Sequence, residues 1–167
     1  MRDSSEFSTY RRLSGEIKTE SAIEWLKGEL DSGLEKVVVF AHHIGVIQEL
    51  QAALSDYGAI AITGDVSADD RQECVDWFQN DSDTRVIIGQ LTAASTGITL
   101  TAASDVVFVE ADWVPGTNKQ ASDRVHRIGQ TKPVLVRYLS MEGSIDEMVT
   151  EAILRKTQMI RELDTTS

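Results

Sequence analysis

The sequence predicts an α/β domain of three layers built around a mostly parallel β-sheet. Short apolar runs rich in β-branched residues alternate with helical patterns along the chain, which is typical of α/β domains. The runs are apolar almost throughout rather than at every second position, which indicates strands that are buried on both faces. With 167 residues, of which 41% are hydrophobic, the chain is long enough for one well-cored domain, with or without a helical extension.

The predicted elements follow one another in a regular order. We predict strands at residues 36–41, 59–63, 85–89, 105–110 and 134–139. We predict helices at residues 20–30, 44–55, 68–80 and 117–128, and a last helix from residue 145 to about residue 163. Residues 1–18 are expected to be a linker or the frayed end of a preceding element, which leaves residues 19–167 as the domain.

Individual residues support these helices. Ser67, with Asp70 three residues later, resembles a capping box and predicts a helix start. Trp25 and Trp77 fall where amphipathic helices bury their side chains, so we expect both in the core. Cys74 is the single cysteine and is expected to pack as a small apolar residue, which leaves neither a disulfide framework nor a zinc cluster.

The composition excludes several classes of protein. No segment approaches the roughly 20 consecutive apolar residues of a membrane span. The polar first ten residues lack the apolar stretch of a signal peptide. We therefore expect a soluble, intracellular protein without a membrane partner.

The charge of the chain is unevenly distributed. A net charge of −11 argues against nucleic acid as a partner. Residues 119–137, however, contain five Lys or Arg against one acid, Asp123, and so carry +4. The remainder carries −15, which predicts a locally basic site within a solvated acidic surface. Lys132 and Arg137 are either ordinary surface charges of this segment or a source of electrostatic steering.

Four loops are expected to meet at one edge of the predicted sheet. They follow the strands at residues 41–45, 63–67, 89–97 and 110–117. In open parallel sheets, ligands bind at the carboxyl ends of the strands. The loop at residues 89–97 is rich in small side chains, which would let backbone amides approach a phosphate closely. A tight connection between a strand and a helix explains the same composition equally well.

Arg124 and Arg127 are the strongest candidates for a functional site. On a helix, their three-residue spacing would place both guanidiniums on one face, where arginine forks bind phosphate oxygens at any physiological pH. An exposed basic turn of helix is the plain alternative. No Gly-x-x-x-x-Gly-Lys-[Ser/Thr] phosphate-binding loop occurs in the sequence, so a nucleotide bound by this pair would be presented by another lobe.

Five segments of the chain carry a family resemblance. In chain order they are Val37-Val-Val-Phe-Ala-His-His43; Ile62-Thr-Gly-Asp-Val66, followed by Asp70-Arg-Gln72 and Trp77-Phe-Gln79; Thr92-Ala-Ala-Ser-Thr-Gly-Ile-Thr-Leu-Thr-Ala-Ala103; Asp112-Trp-Val-Pro115; and Gln120-Ala-Ser-Asp-Arg-Val-His-Arg-Ile-Gly-Gln130. Together they resemble the fourth to sixth motifs of the C-terminal helicase lobe of the Swi/Snf-type, superfamily-two DNA-dependent ATPases. The Phe-Ala-His-His form and the lead-in at residues 10–18 look most like the branch of annealing helicases and their bacterial and phage relatives.

The resemblance implies a RecA-like domain, the second lobe of a helicase related to phosphate-loop NTPases. Such a lobe closes on an N-terminal RecA-like lobe, with ATP and Mg between them, held mainly by the missing N-terminal lobe. Carried over by motif, Arg124 and Arg127 would be arginine fingers, the catalytic residues of this lobe. Gln120, Thr96 and Gly97 would contact the nucleotide.

The resemblance also implies a surface for duplex DNA that extends across both lobes. By motif, His42, Thr63, Gly64 and Arg71 would lie on or beside this surface and contact phosphates rather than bases. The chain departs from the family at Ala94-Ser95, where the fifth motif usually has two glycines, which affects how closely this loop can approach a phosphate.

The histidines and Trp113 allow more than one interpretation. Since adjacent residues of a strand point to opposite faces, His42 and His43 are not expected to form a metal site, and we predict no metal bound by this chain. His126 would serve a structural or a catalytic hydrogen bond. Trp113 would stack on a base or pack beneath its loop.

We therefore expect the second motor lobe of a DNA-dependent ATPase and double-strand DNA translocase, inactive as an isolated chain. The alternative is a non-catalytic RecA-like binding or regulatory module, which is consistent with the acidic composition. The expected location is the cytoplasm or nucleoid if the source is a bacterium or phage, and the nucleus if it is a eukaryote.

Overall fold

The computed structural model describes residues 4–93, 97–112, 115–139 and 155 of the chain. Within these ranges, five parallel strands form one sheet in the order β2-β3-β1-β4-β5. The strands are β1 (Val37–Ala41), β2 (Ala59–Ile62), β3 (Val86–Gln90), β4 (Asp105–Phe108) and β5 (Leu135–Tyr138). The helices are α1 (Ser4–Asp31), α2 (Ile44–Ala53), α3 (Ala68–Asn80) and α4 (Pro115–Ser122). The predicted α/β class with a parallel sheet is confirmed.

The central strand β1 separates two hydrophobic layers. Its five side chains are all buried and point alternately to the two faces of the sheet. On one face, Val38 and Phe40 pack in a cluster that includes Val75 and Phe78 of α3. On the other face, the remaining side chains of β1 pack against residues of α1 and α2, such as Leu26. The helices therefore cover both faces, which gives the three layers that the sequence predicts.

Close packing on the first face explains a glycine inside a strand. The ring of Phe40 stacks on that of Phe108 with 5.2 Å between centroids, and Phe108 stacks on Tyr138 at 4.8 Å. A Cβ atom on Gly89 of β3 would lie only 2.9 Å from Cε1 of Phe40. A glycine at this position lets the aromatic row pass beneath the end of β3, next to the loop that follows it.

Several predicted boundaries are wrong. α1 begins at Ser4 rather than at residue 20. α4 ends at Ser122, whereas the prediction extends to residue 128, because Val125 N donates to Ser122 O and Leu100 N donates to the Arg124 carbonyl at 2.7 Å. A bond between residues 24 apart leaves no periodic trace in the sequence. The predicted strands begin or end one or two residues away from the observed ones. The predicted helix at residues 145–163 lies outside the described residues, apart from Arg155.

The start of α3 confirms a local prediction, and its outer face contradicts another. Ser67 caps the helix by accepting a hydrogen bond from Asp70 N at 3.2 Å, while its hydroxyl donates to Asp70 Oδ2 at 2.8 Å. Cys74 is half-buried against the core as expected. Trp77, predicted to be in the core, is 50% exposed, and Trp25 is only partly buried. The core of this helix is formed by Val75 and Phe78 instead.

Candidate functional site

The carboxyl edge of the sheet brings together the loops that follow four strands. Because all strands are parallel, the amino termini of α2 and α3 also lie at this edge. Helix amino termini present unpaired amide groups and the positive end of the helix dipole, which favour anions. The predicted site residues at this edge form two groups, one at the ends of β1 and β2 and one at the segment after β3.

Glu110, beyond the end of β4, fixes the loop after β1. Its Oε1 accepts hydrogen bonds from the backbone amides of His42 at 3.0 Å and His43 at 2.9 Å, and its Oε2 lies 2.6 Å from Nδ1 of His43. Burial alone would raise the pKa of Glu110, but the His43 amide and ring, together with the His42 amide, hold it below its usual value. A buried carboxylate therefore holds the first loop of the edge in place.

The two histidines do not have the arrangement that the sequence predicts. Both lie beyond the end of β1, and their rings meet edge to face with 4.8 Å between centroids. The expectation that His42 and His43 point to opposite faces of a strand is therefore wrong. Across the described ranges, no three His, Cys, Asp or Glu side chains are grouped closely enough to hold a metal ion.

Gln90, the last residue of β3, joins two neighbouring loops. Its Oε1 accepts from Gly64 N at 2.9 Å, and its Nε2 donates to His42 O at 3.3 Å. The contacts of Gln90 and Glu110 thus form a continuous hydrogen-bonded chain from beyond the end of β4, through the loop after β1 and the end of β3, to the loop after β2. His42 and Gly64, two of the predicted DNA-contacting residues, are held within this chain.

Arg71 and Thr63 complete the first group. Arg71 lies in the first turns of α3, and its Nη2 donates to Val66 O at 3.3 Å. Its Nε is buried and has no hydrogen-bond partner among the residues that the structure describes. Thr63 is half-buried, and its carbonyl accepts from Val66 N at 3.2 Å. The loop after β2 therefore connects all four predicted DNA-contacting residues.

Arg124 and Arg127 lie on a turn rather than on a helix. Arg124 is 7% exposed, and Arg127 is half-buried with its Nη1 3.2 Å from Thr99 Oγ1 and 3.5 Å from Gly97 O. Burial lowers the pKa of Arg124, and the positive charge of Arg127 lowers it further. The negative charge of Asp123 opposes both effects on the pKa of Arg124. The single helix face predicted for the two arginines is wrong.

The predicted nucleotide contacts are only partly described. Gly97 has φ of 63° and an exposed backbone, and its carbonyl faces Arg127. Gln120 is exposed on the last turn of α4. Thr96 lies outside the described residues, as do Trp113 and the Ala94-Ser95 departure. Gly97 and Arg127 are therefore the members of this set that the structure brings into contact.

Comparison with known proteins places the chain in a family. The family described as "Helicase conserved C-terminal domain" matches residues 18–129. The chain belongs to this family. The resemblance to the C-terminal lobe of Swi/Snf-type ATPases, inferred from the motifs, is thereby confirmed, together with the RecA-like α/β fold.

Two relatives and one solved structure define the likeness further. "DNA annealing helicase and endonuclease ZRANB3" of Homo sapiens is 41% identical over 144 residues, covering 85% of this chain and 13% of that protein. "SWI/SNF-related matrix-associated actin-dependent regulator of chromatin subfamily A-like protein 1" of Drosophila melanogaster is 38% identical over 149 residues, covering 88% and 20%. "Crystal structure of the C-terminal part of Fun30 ATPase domain" matches with a TM-score of 0.75 and 32% identity, covering 81% of this chain and 44% of that chain. The chain spans at most a fifth of the two relatives.

In this helicase C-terminal domain, Gln130 holds the arginine turn in a way that sequence reasoning missed. Its Nε2 donates to three carbonyls, those of Thr101 at 3.3 Å, Ala103 at 2.6 Å and Val125 at 3.2 Å. The turn is thereby fastened to the segment after β3. Gln130 is the last residue of the segment that resembles the sixth motif, but which backbone groups a side-chain amide reaches depends on the folded chain.

Asn118 has a similar role at the start of α4. It is 1% exposed, accepts from Asp112 N at 2.9 Å and donates to Asp112 O at 2.8 Å. The segment after β4 is thus fastened to α4. Asparagine is common in turns and caps because its side chain can bond to nearby backbone groups. Nothing in the sequence pattern, however, marks Asn118 rather than another polar residue as the one that makes these bonds.

The basic segment at residues 119–137 is less available than its net charge suggests. Lys119 pairs with Asp123 at 2.9 Å. Arg137 lies over the ring of Trp25, with 5.3 Å to its centroid, and 3.5 Å from Asp105 Oδ1. Arg137 therefore serves packing between α1 and the sheet rather than steering.

In the described ranges, no helix is long and apolar enough to cross a membrane.

Proposed function

We propose that this chain is the second motor lobe of a DNA-dependent ATPase and double-strand DNA translocase. In this proposal, Arg124 and Arg127 act as arginine fingers on ATP held mainly by the N-terminal RecA-like lobe. The observation that carries the proposal is that the turn with both arginines is held in place by hydrogen bonds. Gln130 and the Arg124 carbonyl anchor it to the segment after β3, while Ile128 next to the arginines is fully exposed.

The electrostatics of the turn support a role in phosphoryl transfer. The positive charge of Arg127 disfavours the charged form of Arg124, so an anion placed between or beside the two guanidiniums would stabilise both charges. Charge builds up on the phosphoryl oxygens as the bond to the leaving group breaks, so the arginines would stabilise the transition state more than bound ATP. Gln120, Thr96 and Gly97 would contact the nucleotide beside them. An exposed isoleucine at the same turn fits a surface that the other lobe covers.

Mg is assigned to the other lobe. Both oxygens of Glu110 already accept hydrogen bonds from His42 and His43, so this acid is a poor ligand for an additional ion. When bound, Mg neutralises phosphate charge. The contribution of this chain is to orient two guanidiniums and to exclude water around the buried Arg124.

The first group of residues supports contact with the phosphates of duplex DNA. His42, Thr63 and Gly64 lie on adjoining loops, and Arg71 lies in the first turns of α3, where its Nη2 donates to Val66 O of the loop after β2. Main-chain groups and arginine contact the DNA backbone rather than base edges, so binding would be indifferent to sequence.

The segment after β3 would couple the two groups. Gln90 at its start holds the loop of Gly64, and Gly97 accepts from Arg127. A shift of this segment on DNA binding would therefore reach the arginine turn. Location in the nucleoid, cytoplasm or nucleus accompanies the proposal and depends on the source.

ATPase activity measured with and without the N-terminal lobe tests this proposal. The chain alone should show no DNA-stimulated turnover, since its arginines act on a nucleotide held elsewhere. Joined to an N-terminal lobe, it should hydrolyse ATP and respond to duplex DNA. Robust turnover by the chain alone would contradict the division of the site. The non-catalytic regulatory module would be favoured by a different result. The chain would then hydrolyse no ATP, either alone or joined to an N-terminal lobe, but would bind a protein partner stably.

A further inference from the structure

The outer face of α3 carries an exposed tryptophan that is not part of the buried core. Trp77 is 50% exposed, whereas its neighbour Phe78 is fully buried. An isolated exposed apolar residue is ordinary, but tryptophan is enriched among the residues that contribute most to binding at the centre of protein interfaces. What surrounds Trp77 therefore decides whether the exposure has meaning.

Acidic residues surround Trp77 along the helix. Residues three or four apart are neighbours on a helix surface, so Asp70, Glu73 and Trp77 form one row, about 10 Å long at 1.5 Å per residue. Asp69 and Asp76 flank this row, and all five side chains are exposed. We call these five residues the α3 face.

The fold explains only part of this charge. Asp69 and Asp70 lie in the first turn, where their negative charges interact favourably with the helix dipole. Asp70 also takes part in the cap. Glu73 and Asp76 lie beyond that turn, where Asp76 Oδ1 accepts a hydrogen bond from Gln72 Nε2 at 2.9 Å. Like charges three or four residues apart destabilise a helix. Glu73 forms no ion pair within the described ranges, which leaves its charge without a structural purpose there.

The local field of the α3 face is negative. The pKa of Cys74, on the same helix, is raised first by burial and then by the charges of Glu73 and Asp70. This field attracts cations and repels phosphates. Glu73, Asp76 and Trp77 lie towards the end of α3 that is remote from Ser67 and the carboxyl edge of the sheet, whereas Asp69 and Asp70 lie next to Arg71, one of the proposed DNA-contacting residues.

We propose that the α3 face binds a Lys- or Arg-rich segment of a partner protein. One cation lies over the indole of Trp77, where cation–π attraction is strongest among the aromatic side chains. A second cation, about one helical turn away, pairs with Glu73 or Asp70. The charge complementarity of acids around an aromatic ring selects a basic protein segment over nucleic acid, which the same acids repel. This surface is independent of the proposed ATPase activity.

Binding of a labelled peptide of alternating Arg and Ser to this chain tests the proposal. Fluorescence anisotropy should report saturable binding that weakens with salt. Trp77→Ala should weaken the affinity about fivefold, and Glu73→Gln about two- to threefold. Glu49→Gln is the matched control, because it removes one exposed negative charge from α2 and should leave the affinity unchanged.

Other outcomes would overturn the proposal. Equal weakening by Glu49→Gln and Glu73→Gln would mean attraction to the net charge of the chain rather than to the α3 face. Unchanged affinity in Trp77→Ala, or no peptide binding at all, would remove the assigned partner. Loss of duplex binding in Trp77→Ala would assign the surface to DNA instead. Glu73→Lys reverses an exposed charge without altering packing, so it repeats the test should Trp77→Ala unfold.

Discussion

The two edges of the sheet use cations in opposite ways. At the amino edge, Lys36 donates to the carbonyls of Phe78, Asp81 and Thr84, and Arg85 donates to those of Leu30, Leu34 and Glu35. At the carboxyl edge, Arg71 makes one side-chain hydrogen bond, at 3.3 Å, among the described residues, and the contacts of Arg127 measure 3.2 and 3.5 Å. Lys36 and Arg85 at the first edge each donate to three backbone carbonyls, whereas Arg71 and Arg127 at the second make fewer and longer contacts within the described residues.

The direction of the helices explains this difference. In a parallel α/β fold, helix carboxyl termini lie at the amino edge, where unpaired carbonyls of α1 and α3 accept from cations. Helix amino termini lie at the carboxyl edge and supply further donors. Fewer helix carbonyls are therefore offered to cations there, so we expect the same residue type to serve stability at one edge and the proposed ligand binding at the other.

The largest effect should come from truncating the arginine turn. In the two-lobe protein, Arg124→Ala and Arg127→Ala should each lower kcat by roughly 10³-fold, because the contact strengthens as charge develops on the phosphoryl group. The apparent affinity for ATP should change much less. Steady-state ATPase assays at saturating duplex DNA measure both quantities. Near-normal kcat in either variant would make that arginine an ordinary surface residue.

Substitutions at the two edges should separate stability from function. Arg85→Met should lower the free energy of unfolding by about 2 kcal/mol, because it leaves three backbone carbonyls without a donor. Arg71→Met, the matched change at the carboxyl edge, should stay within about 0.5 kcal/mol. Urea denaturation compares the two variants. Equal losses would mean that the edges do not differ in the way their cations are used.

Glu110 should make the stability of the carboxyl edge dependent on pH. Its pKa is held below the ordinary value of 4.5, so its contribution is present above that value and is lost as the pH falls through the lowered pKa. Glu110→Gln should cost about 1.5 kcal/mol at neutral pH. The difference between wild type and variant should shrink in acid. Urea denaturation at pH 7 and below pH 4.5 tests this, and a constant difference would contradict it.

A smaller effect should follow from disconnecting the loops after β1 and β2. Gln90→Leu keeps a similar volume but removes the bonds to Gly64 N and His42 O. Duplex affinity of the two-lobe protein should fall by up to about fivefold, equivalent to ~1 kcal/mol. Salt titration of DNA binding measures this change. Unaltered binding would show that the bridge does not position the proposed DNA-contacting residues.

The sequence predicted what depends on local pattern and on family motifs. The alternation of apolar runs with helical patterns predicted the ends of all five strands to within one or two residues. The Ser67 cap predicted the start of α3. The motifs identified the family. The ending of α4 at Ser122 was missed because the Leu100 amide binds the Arg124 carbonyl, a contact between distant parts of the chain.

The supporting residues of the site were harder to foresee. Gln90, Glu110, Asn118 and Gln130 act through backbone groups that only the folded chain brings within reach. Likewise, the pairing of Arg137 with Trp25 could not be read from its position near the sixth motif. Sequence patterns indicate which residues meet a ligand more readily than they indicate which residues hold them in place.

The kcat of Arg127→Lys in the two-lobe protein, at saturating ATP and duplex DNA, tests the central claim most directly. Lysine keeps the positive charge of Arg127 but lacks the planar fork that binds two phosphate oxygens. Arg85→Lys is the control, since a lysine at the amino edge can still donate to backbone carbonyls. The account predicts that kcat falls nearly as far in Arg127→Lys as in Arg127→Ala, while Arg85→Lys retains normal turnover. Near-normal kcat in Arg127→Lys would contradict the assignment of an arginine finger.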